Sequence, residues 1–274
     1  MLSVGESLRD GRRRPGNPEP ALPDDGCVLP EARGRFPAPA AWLAGRLDRS
    51  RPTGFALTLT AVAGAVCAWI FAVLAQDVHT QTGSVRLDPV VERFVVAHRT
   101  PWLTPLMHGA TLLGSAWVLV PVLSLAGWVM HRRTRSWWPA LQLAAASLGV
   151  LVLVHVVKDL VNRPRPPVSL VGQPFGSSFP SGHSAQGVAA WGMLAVVLTA
   201  GYRLRIRVLS GAAAGVIALA IGASRIYLGA HWLTDVLGGY TLAGTWLAAV
   251  IAVRLSVSAL GARAPALSPL PPEE

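Results

Sequence analysis

Of the 274 residues, 52% are hydrophobic and only 14% are charged, whereas ordinary soluble domains carry about 25% charged residues. The apolar residues fall in blocks of roughly twenty, the length that crosses a bilayer as a helix, so an integral membrane protein is expected and a soluble one is not. The net charge of +10 sets up a nucleic-acid reading that the positions of the charges oppose. Nine of the 24 basic residues lie in the first 53 positions and most others lie between apolar blocks, as in cytoplasmic membrane flanks, so no nucleic-acid partner is expected.

Residues 1–50 are rich in Pro, Gly, Arg and acidic residues and read as a disordered tail, with a short helix over 40–47. The start, Met1-Leu2-Ser3-Val4, lacks a basic region followed by an apolar core, so no signal peptide is expected. Cys27 lies in the tail and Cys67 in an apolar run, so neither a disulfide nor a thiolate metal site is expected.

The membrane domain is placed at 51–257, followed by a second disordered tail over 258–274. Its first span is expected at 54–75, behind Arg46, Arg49 and Arg51. Residues 76–101 mix Asp77, Asp88, Glu92 and Arg93 with apolar residues, and Val90, Val91, Phe94, Val95 and Val96 predict an amphipathic helix on the membrane surface. The second span falls within 102–130, where Gly114-Ser115 marks a bend or the true start. His131, Arg132, Arg133 and Arg135 form a basic loop. Trp137 and Trp138 then open the third span as an interfacial belt. That span ends near 161, because Pro164 and Pro166 disfavour helical geometry in the residues before them. A polar loop over 167–179 leads to a fourth span at 180–200, a fifth at 208–227 and a sixth at 235–253. The expected fold class is all-α, a six-transmembrane-helix bundle with disordered tails.

With both termini in the cytoplasm, the inner segments hold 17 basic residues and the outer segments seven. This satisfies the positive-inside rule for a multi-pass plasma-membrane protein. Four of the outer seven are Lys158, Arg163, Arg165 and Arg225, all in or beside a set of three polar clusters that this topology puts on the extracytoplasmic face.

The first cluster runs from Lys158 to Pro166. Lys158 is a compact charge and Arg165 a planar fork, and the intervening proline redirects the chain so that both can meet one anion. Taken alone, snorkelling to headgroups is the favoured explanation, because Lys and Arg are common beside membrane spans. The second cluster is Pro180-Ser181-Gly182-His183. Ser181 would cap a helix whose free N–H groups favour an anion, Gly182 would let the anion approach, and His183 could give a proton to a leaving oxygen. An ordinary cap and a packed histidine are the plainer alternative. The third cluster holds Ser224, Arg225, His231 and Asp235. His231 and Asp235 share a helical face, and a carboxylate beside imidazole fixes its tautomer and raises its basicity. A metal site is not expected: the two histidines and the aspartate lack compact ligand spacing, and three cations nearby would repel an ion. His79, His98, His108 and His131 read as interface or surface residues, and His155 as buried polar packing.

Taken together, the clusters resemble the type 2 phosphatidic acid phosphatase family, whose pattern is Lys-x6-Arg-Pro, then Pro-Ser-Gly-His, then Ser-Arg-x5-His-x3-Asp. Lys158/Arg165/Pro166, Pro180 to His183, and Ser224/Arg225/His231/Asp235 match every position and both internal spacings. The motifs span about 80 residues, and the layout of spans extends the likeness over roughly 54–255. Trp232-Leu233 departs from the aromatic-proline pair of many members, a change expected to affect the loop only. The resemblance implies that His231 attacks phosphorus to form a phosphohistidine and that Asp235 orients His231. His183 protonates the leaving group and then activates water. Lys158, Arg165, Ser181, Gly182 and Arg225 would hold the phosphoryl oxygens, with no metal and no cofactor. The implied substrates are lipid phosphates or diphosphates: undecaprenyl diphosphate first, then phosphatidic acid, phosphatidylglycerol phosphate and diacylglycerol diphosphate. The soluble relatives, vanadium haloperoxidases among them, lack these spans. Two other functions stay open: a lipid phosphotransferase using the same site, and a non-catalytic lipid-binding membrane protein.

Overall fold

The computed structural model describes residues 52–172 and 176–261, and among them every regular element is helical. The disordered-tail expectations and the short helix at 40–47 lie outside the described residues, except that the last helix continues past 257 to Gly261.

The chain opens with α1 (Pro52–Thr80), a 3-10 turn at Gly83–Leu87, and α2 (Asp88–Ala97), the amphipathic helix expected from the sequence. Then come α3 (Leu103–Leu112), α4 (Ala116–Thr134) and α5 (Trp138–Val161). The short α6 (Gly182–Gln186) runs through a wide π turn (Gly187–Trp191) into α7 (Gly192–Leu198). The long helices α8 (Leu204–Tyr227) and α9 (Leu233–Gly261) complete the fold.

Four helices, α1, α5, α8 and α9, are long and apolar enough to cross a membrane. A fifth crossing arises if α3 and α4, bent by 46° to one another, form one span. The bend falls at Gly114-Ser115, where the sequence marked it. The region expected as a fourth span is three short helical pieces rather than one uninterrupted helix, because a π turn interrupts it; such turns are common at functional sites. Helices also outrun the apolar blocks. α1 continues through polar residues to Thr80, whose hydroxyl donates to the Gln76 carbonyl at 2.9 Å.

Small residues bring the long helices together, as in membrane interiors where close backbone approach replaces the hydrophobic drive. A Cβ on Gly64 of α1 would lie 2.9 Å from the Ala248 Cβ of α9. Gly149 of α5 leaves room for the Trp246 indole of α9, whose Nε1 donates to the Ala145 carbonyl at 3.0 Å. The core lies between α5, α6 and α9, where Val150, Val154, Ala185, Ala189 and Ala243 are buried. Large apolar residues such as Trp69, Leu148, Leu160 and Leu219 face outward, as lipid-facing surfaces require.

α5 stops at Asn162, which adopts left-handed geometry (φ 45°) and donates its N–H to the Lys158 carbonyl at 3.0 Å. That turn throws residues 163–166 across the end of the bundle, toward the start of α9.

Candidate active site

The three clusters, separated by up to 77 positions, meet at one end of the bundle. Backbone bonds stitch them together before any side chain is considered. The Ser178 N–H donates to the Arg163 carbonyl at 2.8 Å, and the Ser181 N–H donates to the Asp235 carbonyl at 2.9 Å. The Ser178 hydroxyl adds a bond to the Pro164 carbonyl at 3.0 Å.

Two cations of the first cluster converge. Lys158 Nζ donates to the Ser177 carbonyl at 2.5 Å, and Arg165 Nη2 reaches the same oxygen at 3.3 Å. Arg165 Nη1 donates to the Ala230 carbonyl at 2.9 Å and lies 3.4 Å from His231 Nε2. Arg165 therefore bridges the first and third clusters.

The second cluster departs from simple capping. The Ser181 side chain makes no cap bond to its helix. It is fully buried, and its Oγ accepts from the Ser184 hydroxyl at 2.9 Å. Gly182 and His183 follow in the first turn of α6, which lies against the α3–α4 bend. A Cβ on Gly114 would sit 2.9 Å from the His183 carbonyl oxygen and 2.8 Å from the Ile221 side chain, so the bend must be glycine for that approach. His183 lies within the electrostatic reach of Arg225, His231, Lys158 and Arg165.

The third cluster is the most enclosed. Arg225 ends α8, buried, with Nη1 donating to the Thr111 hydroxyl of α3 at 2.8 Å. Its Nε is buried without a hydrogen-bond partner, a donor that an arriving anion can satisfy. The chain turns at Gly229 (φ 70°), where a Cβ would clash with the Val168 carbonyl. Next comes His231, whose Nδ1 lies 3.4 Å from Asp235 Oδ2. The same oxygen accepts the Trp232 N–H at 2.9 Å, the backward bond that an acidic residue in a first helical turn makes to the cap. Burial disfavours the His231 imidazolium. Asp235 opposes this and Arg225 and Arg165 reinforce it, so the His231 pKa is pushed down to about 4. At neutral pH the ring is uncharged; with Nδ1 turned to the carboxylate, Nε2 carries the lone pair and faces Arg165.

All eight residues singled out in the sequence thus lie in one region. Others were missed. Arg163 is buried and bonded to Asp235 and Asp88, at 2.6 Å each. Thr111 supports Arg225, and Ser177 collects Lys158 and Arg165. The adjacent Arg-Pro-Arg-Pro run was a signal for Arg163; Thr111 and Asp88 carry none, since their partners are distant in sequence. His155 is exposed rather than buried, its Nδ1 paired with the Leu151 carbonyl at 2.8 Å. Among the described residues, no group of three or more His, Cys, Asp or Glu side chains is placed to hold a metal ion.

A groove of about 900 Å³ between α4 and α5 leads to this site. Trp117, Trp128, Trp137, Leu148 and Leu151 line it, and Gly182, His183 and Gln186 lie along it too. It is overwhelmingly apolar yet reaches the polar cluster.

Residues 139–257 match the profile of the PAP2 superfamily. The chain is 33% identical over 174 residues to phosphatidylglycerophosphatase B of Bacillus subtilis (strain 168), the match covering 63% of this chain and 85% of that one. The crystal structure of a transmembrane PAP2-type phosphatidylglycerolphosphate phosphatase from Bacillus subtilis superposes with a TM-score of 0.66 at 30% identity, over 71% of this chain and 97% of that chain. The chain belongs to the PAP2 superfamily and is a membrane lipid phosphatase.

Proposed function

We propose that the chain hydrolyses a lipid phosphomonoester or diphosphate through a covalent phosphohistidine on His231, at the extracytoplasmic face of the plasma membrane. The observation that carries this is the orientation of His231, with Nδ1 toward Asp235 and Nε2 toward Arg165. Nε2 attacks phosphorus while the bond to the leaving oxygen breaks, and His183 delivers a proton to that oxygen. His183 then takes a proton from water, which attacks the phosphohistidine and releases inorganic phosphate and free His231. Asp235 stabilises the positive charge that the ring carries in between.

Lys158, Arg165 and Arg225 hold the equatorial oxygens, where phosphoryl transfer develops charge. The bonds that Lys158 and Arg165 make to the Ser177 carbonyl are to be exchanged for phosphate oxygens. Ser181 and the Gly182 N–H add neutral donors. The apolar groove between α4 and α5 suits an acyl or prenyl tail lying in the bilayer while the head reaches His183.

The names of the two relatives favour phosphatidylglycerol phosphate as substrate, ahead of undecaprenyl diphosphate and phosphatidic acid. The membrane domain takes six crossings in this reading, with α3–α4 as one and α6–α7 as another. Both termini and the basic loops at 131–136 and 201–207 then lie in the cytoplasm.

The test is phosphate release by the detergent-purified protein from a panel of lipid phosphates and diphosphates, with EDTA present, beside His231→Ala. Release that survives EDTA and is lost in the variant supports the reading. Release by His231→Ala at the normal rate overturns it. Transfer to a second lipid instead of water would identify a phosphotransferase, and binding without turnover a lipid-binding protein.

A further inference from the structure

We propose that Arg163 and Asp88 form a positioning clamp that aims the Asp235 carboxylate at His231 and keeps its negative charge available to the ring. The proposal rests on the reading of His231 as the nucleophile. It gives a role to two buried charged residues that lie outside the three motif patterns and have no part in the mechanism above.

The geometry is a closed lattice. Arg163 Nη1 donates to Asp235 Oδ1 at 2.6 Å and to the Thr234 hydroxyl at 2.7 Å. Its Nη2 donates to Asp88 Oδ2 at 2.6 Å. Asp88 in turn accepts the Thr234 N–H at 2.9 Å and the Thr234 hydroxyl at 2.6 Å. The guanidinium also lies over the Trp232 ring, 5.7 Å from its centroid. Arg163, Asp88, Thr234 and Asp235 are all buried. The lattice therefore ties the start of α2, the turn after α5 and the first turn of α9 together out of water.

Two consequences bear on chemistry. First, both Asp235 oxygens are committed. Oδ1 is held by Arg163, so Oδ2 is the oxygen left to face His231 Nδ1 and the Trp232 N–H. A carboxylate with one oxygen pinned cannot rotate away from the ring, and a planar guanidinium pins it where an ammonium would not. Second, the charges are balanced with one left over. A lone arginine against Asp235 would neutralise the carboxylate that the phosphorylated ring needs. Asp88 supplies the compensating charge, so the trio Arg163, Asp88 and Asp235 retains one net negative charge beside His231. A single carboxylate would suffice merely to tie Arg163 down; the second makes sense if the charge on Asp235 matters to its neighbour.

The two functions separate by substitution. Asp88→Asn keeps shape and removes charge; Arg163→Lys keeps charge and removes the fork. Both are expected to lower kcat about 10- to 100-fold, the scale seen when the carboxylate or carbonyl that orients a metal-binding histidine is removed, with KM for the lipid substrate within about threefold of wild type because the phosphate ligands are untouched. A second readout is titration of His231 by nitrogen-15 imidazole NMR, assigned by difference from His231→Asn. The charged and titratable groups that act on His231 are Asp235 on α9, Arg225 on α8 and Arg165 in the turn after α5, with His183 on α6 coupled to it; Arg163 acts on Asp235, and Lys158 on α5 is coupled to Arg165, Asp235 and Arg225. Asp88→Asn alone changes the net charge of this set and its partners, so its His231 midpoint falls, whereas that of Arg163→Lys stays put.

A merely structural ion pair gives another pattern. Each variant would then lose folded protein, measured by circular dichroism and size exclusion, with kcat per folded molecule and the His231 midpoint unchanged. That pattern, or loss of the fold in both variants, overturns the clamp. A dead His231→Ala beside normal Asp88→Asn and Arg163→Lys sinks the clamp alone. Full activity in His231→Ala sinks the reading beneath it.

Discussion

His231 Nδ1 and Asp235 Oδ2 lie 3.4 Å apart across one turn at the start of α9, which leaves Nε2 of the same ring pointing at the Arg165 guanidinium. The pair assigns a role to each nitrogen: one held by a carboxylate, the other open toward a cationic pocket. Asp235→Asn preserves the packing and loses the charge. It is expected to lower kcat by about 10⁴, as removal of the orienting carboxylate does in serine-protease triads, with lipid binding retained. Steady-state kinetics with equilibrium lipid binding checks this; a loss below about tenfold would detach Asp235 from the chemistry.

The burial of His231 makes a statement about pH. Its pKa is pushed down to about 4, mainly by desolvation. The neutral, nucleophilic ring is the form present above that value and is lost as pH falls through it. In the substrate-free enzyme, the nitrogen-15 NMR titration of His231 is expected to have its midpoint near 4, well below the ordinary imidazole value of about 6.5. A midpoint at the ordinary value would mean that the ring is open to water.

Arg225 depends on a residue that the motif does not include. Thr111 accepts from its Nη1 at 2.8 Å inside the protein. Thr111→Val leaves a charged donor unpaired, a defect of about 1–3 kcal/mol, and is expected to lower kcat/KM about 10- to 100-fold, less than Arg225→Lys does. Equal rates for Thr111→Val and wild type would show that Arg225 keeps its place without that hydroxyl.

Gly114 separates packing from chemistry. A side chain there meets the His183 carbonyl and Ile221, so Gly114→Val is expected to push α6 outward. Turnover falls while the protein stays folded by circular dichroism. Normal turnover would show that the α3–α4 bend yields instead of His183.

Orientation in the membrane is tested by single cysteines in a Cys27→Ser, Cys67→Ser background. Gly172→Cys is expected to react with an impermeant thiol reagent in intact cells, and Arg133→Cys only after permeabilisation. The reverse pattern would turn the site to the cytoplasm.

Much of this was legible in the chain itself, for a physical reason. Spans are written as apolar blocks, and the polar residues that interrupt them stand out because lipid tolerates so few. Lys158, Arg165, His183 and His231 were visible on that ground, and Val90 to Val96 announced α2 by period. What escaped depends on distant neighbours. Asp88 looked like one acid among several in a surface segment, yet it is buried against Arg163 and Thr234, 75 and 146 positions away. Arg163 stood beside Arg165 with nothing to say that one fork turns toward the phosphate region and the other toward Asp88. Helix ends were missed for a different cause. Hydropathy drops before hydrogen bonding does, so α1 runs on to Thr80 and α9 to Gly261. The π turn at 187–191 leaves no mark in the composition of the segment around it.

The most direct measurement is capture of the intermediate. The detergent-purified enzyme is mixed with a phosphorus-32 lipid phosphate, quenched in alkali, digested and sequenced by mass spectrometry. The expected result is an acid-labile, alkali-stable phosphate on His231, absent from His231→Ala and formed more slowly in a His183 variant, which lacks the acid of the first step as well as the base of the second. Phosphate on another residue, or steady turnover with no phosphoenzyme in wild type or in the His183 variant, would contradict the mechanism.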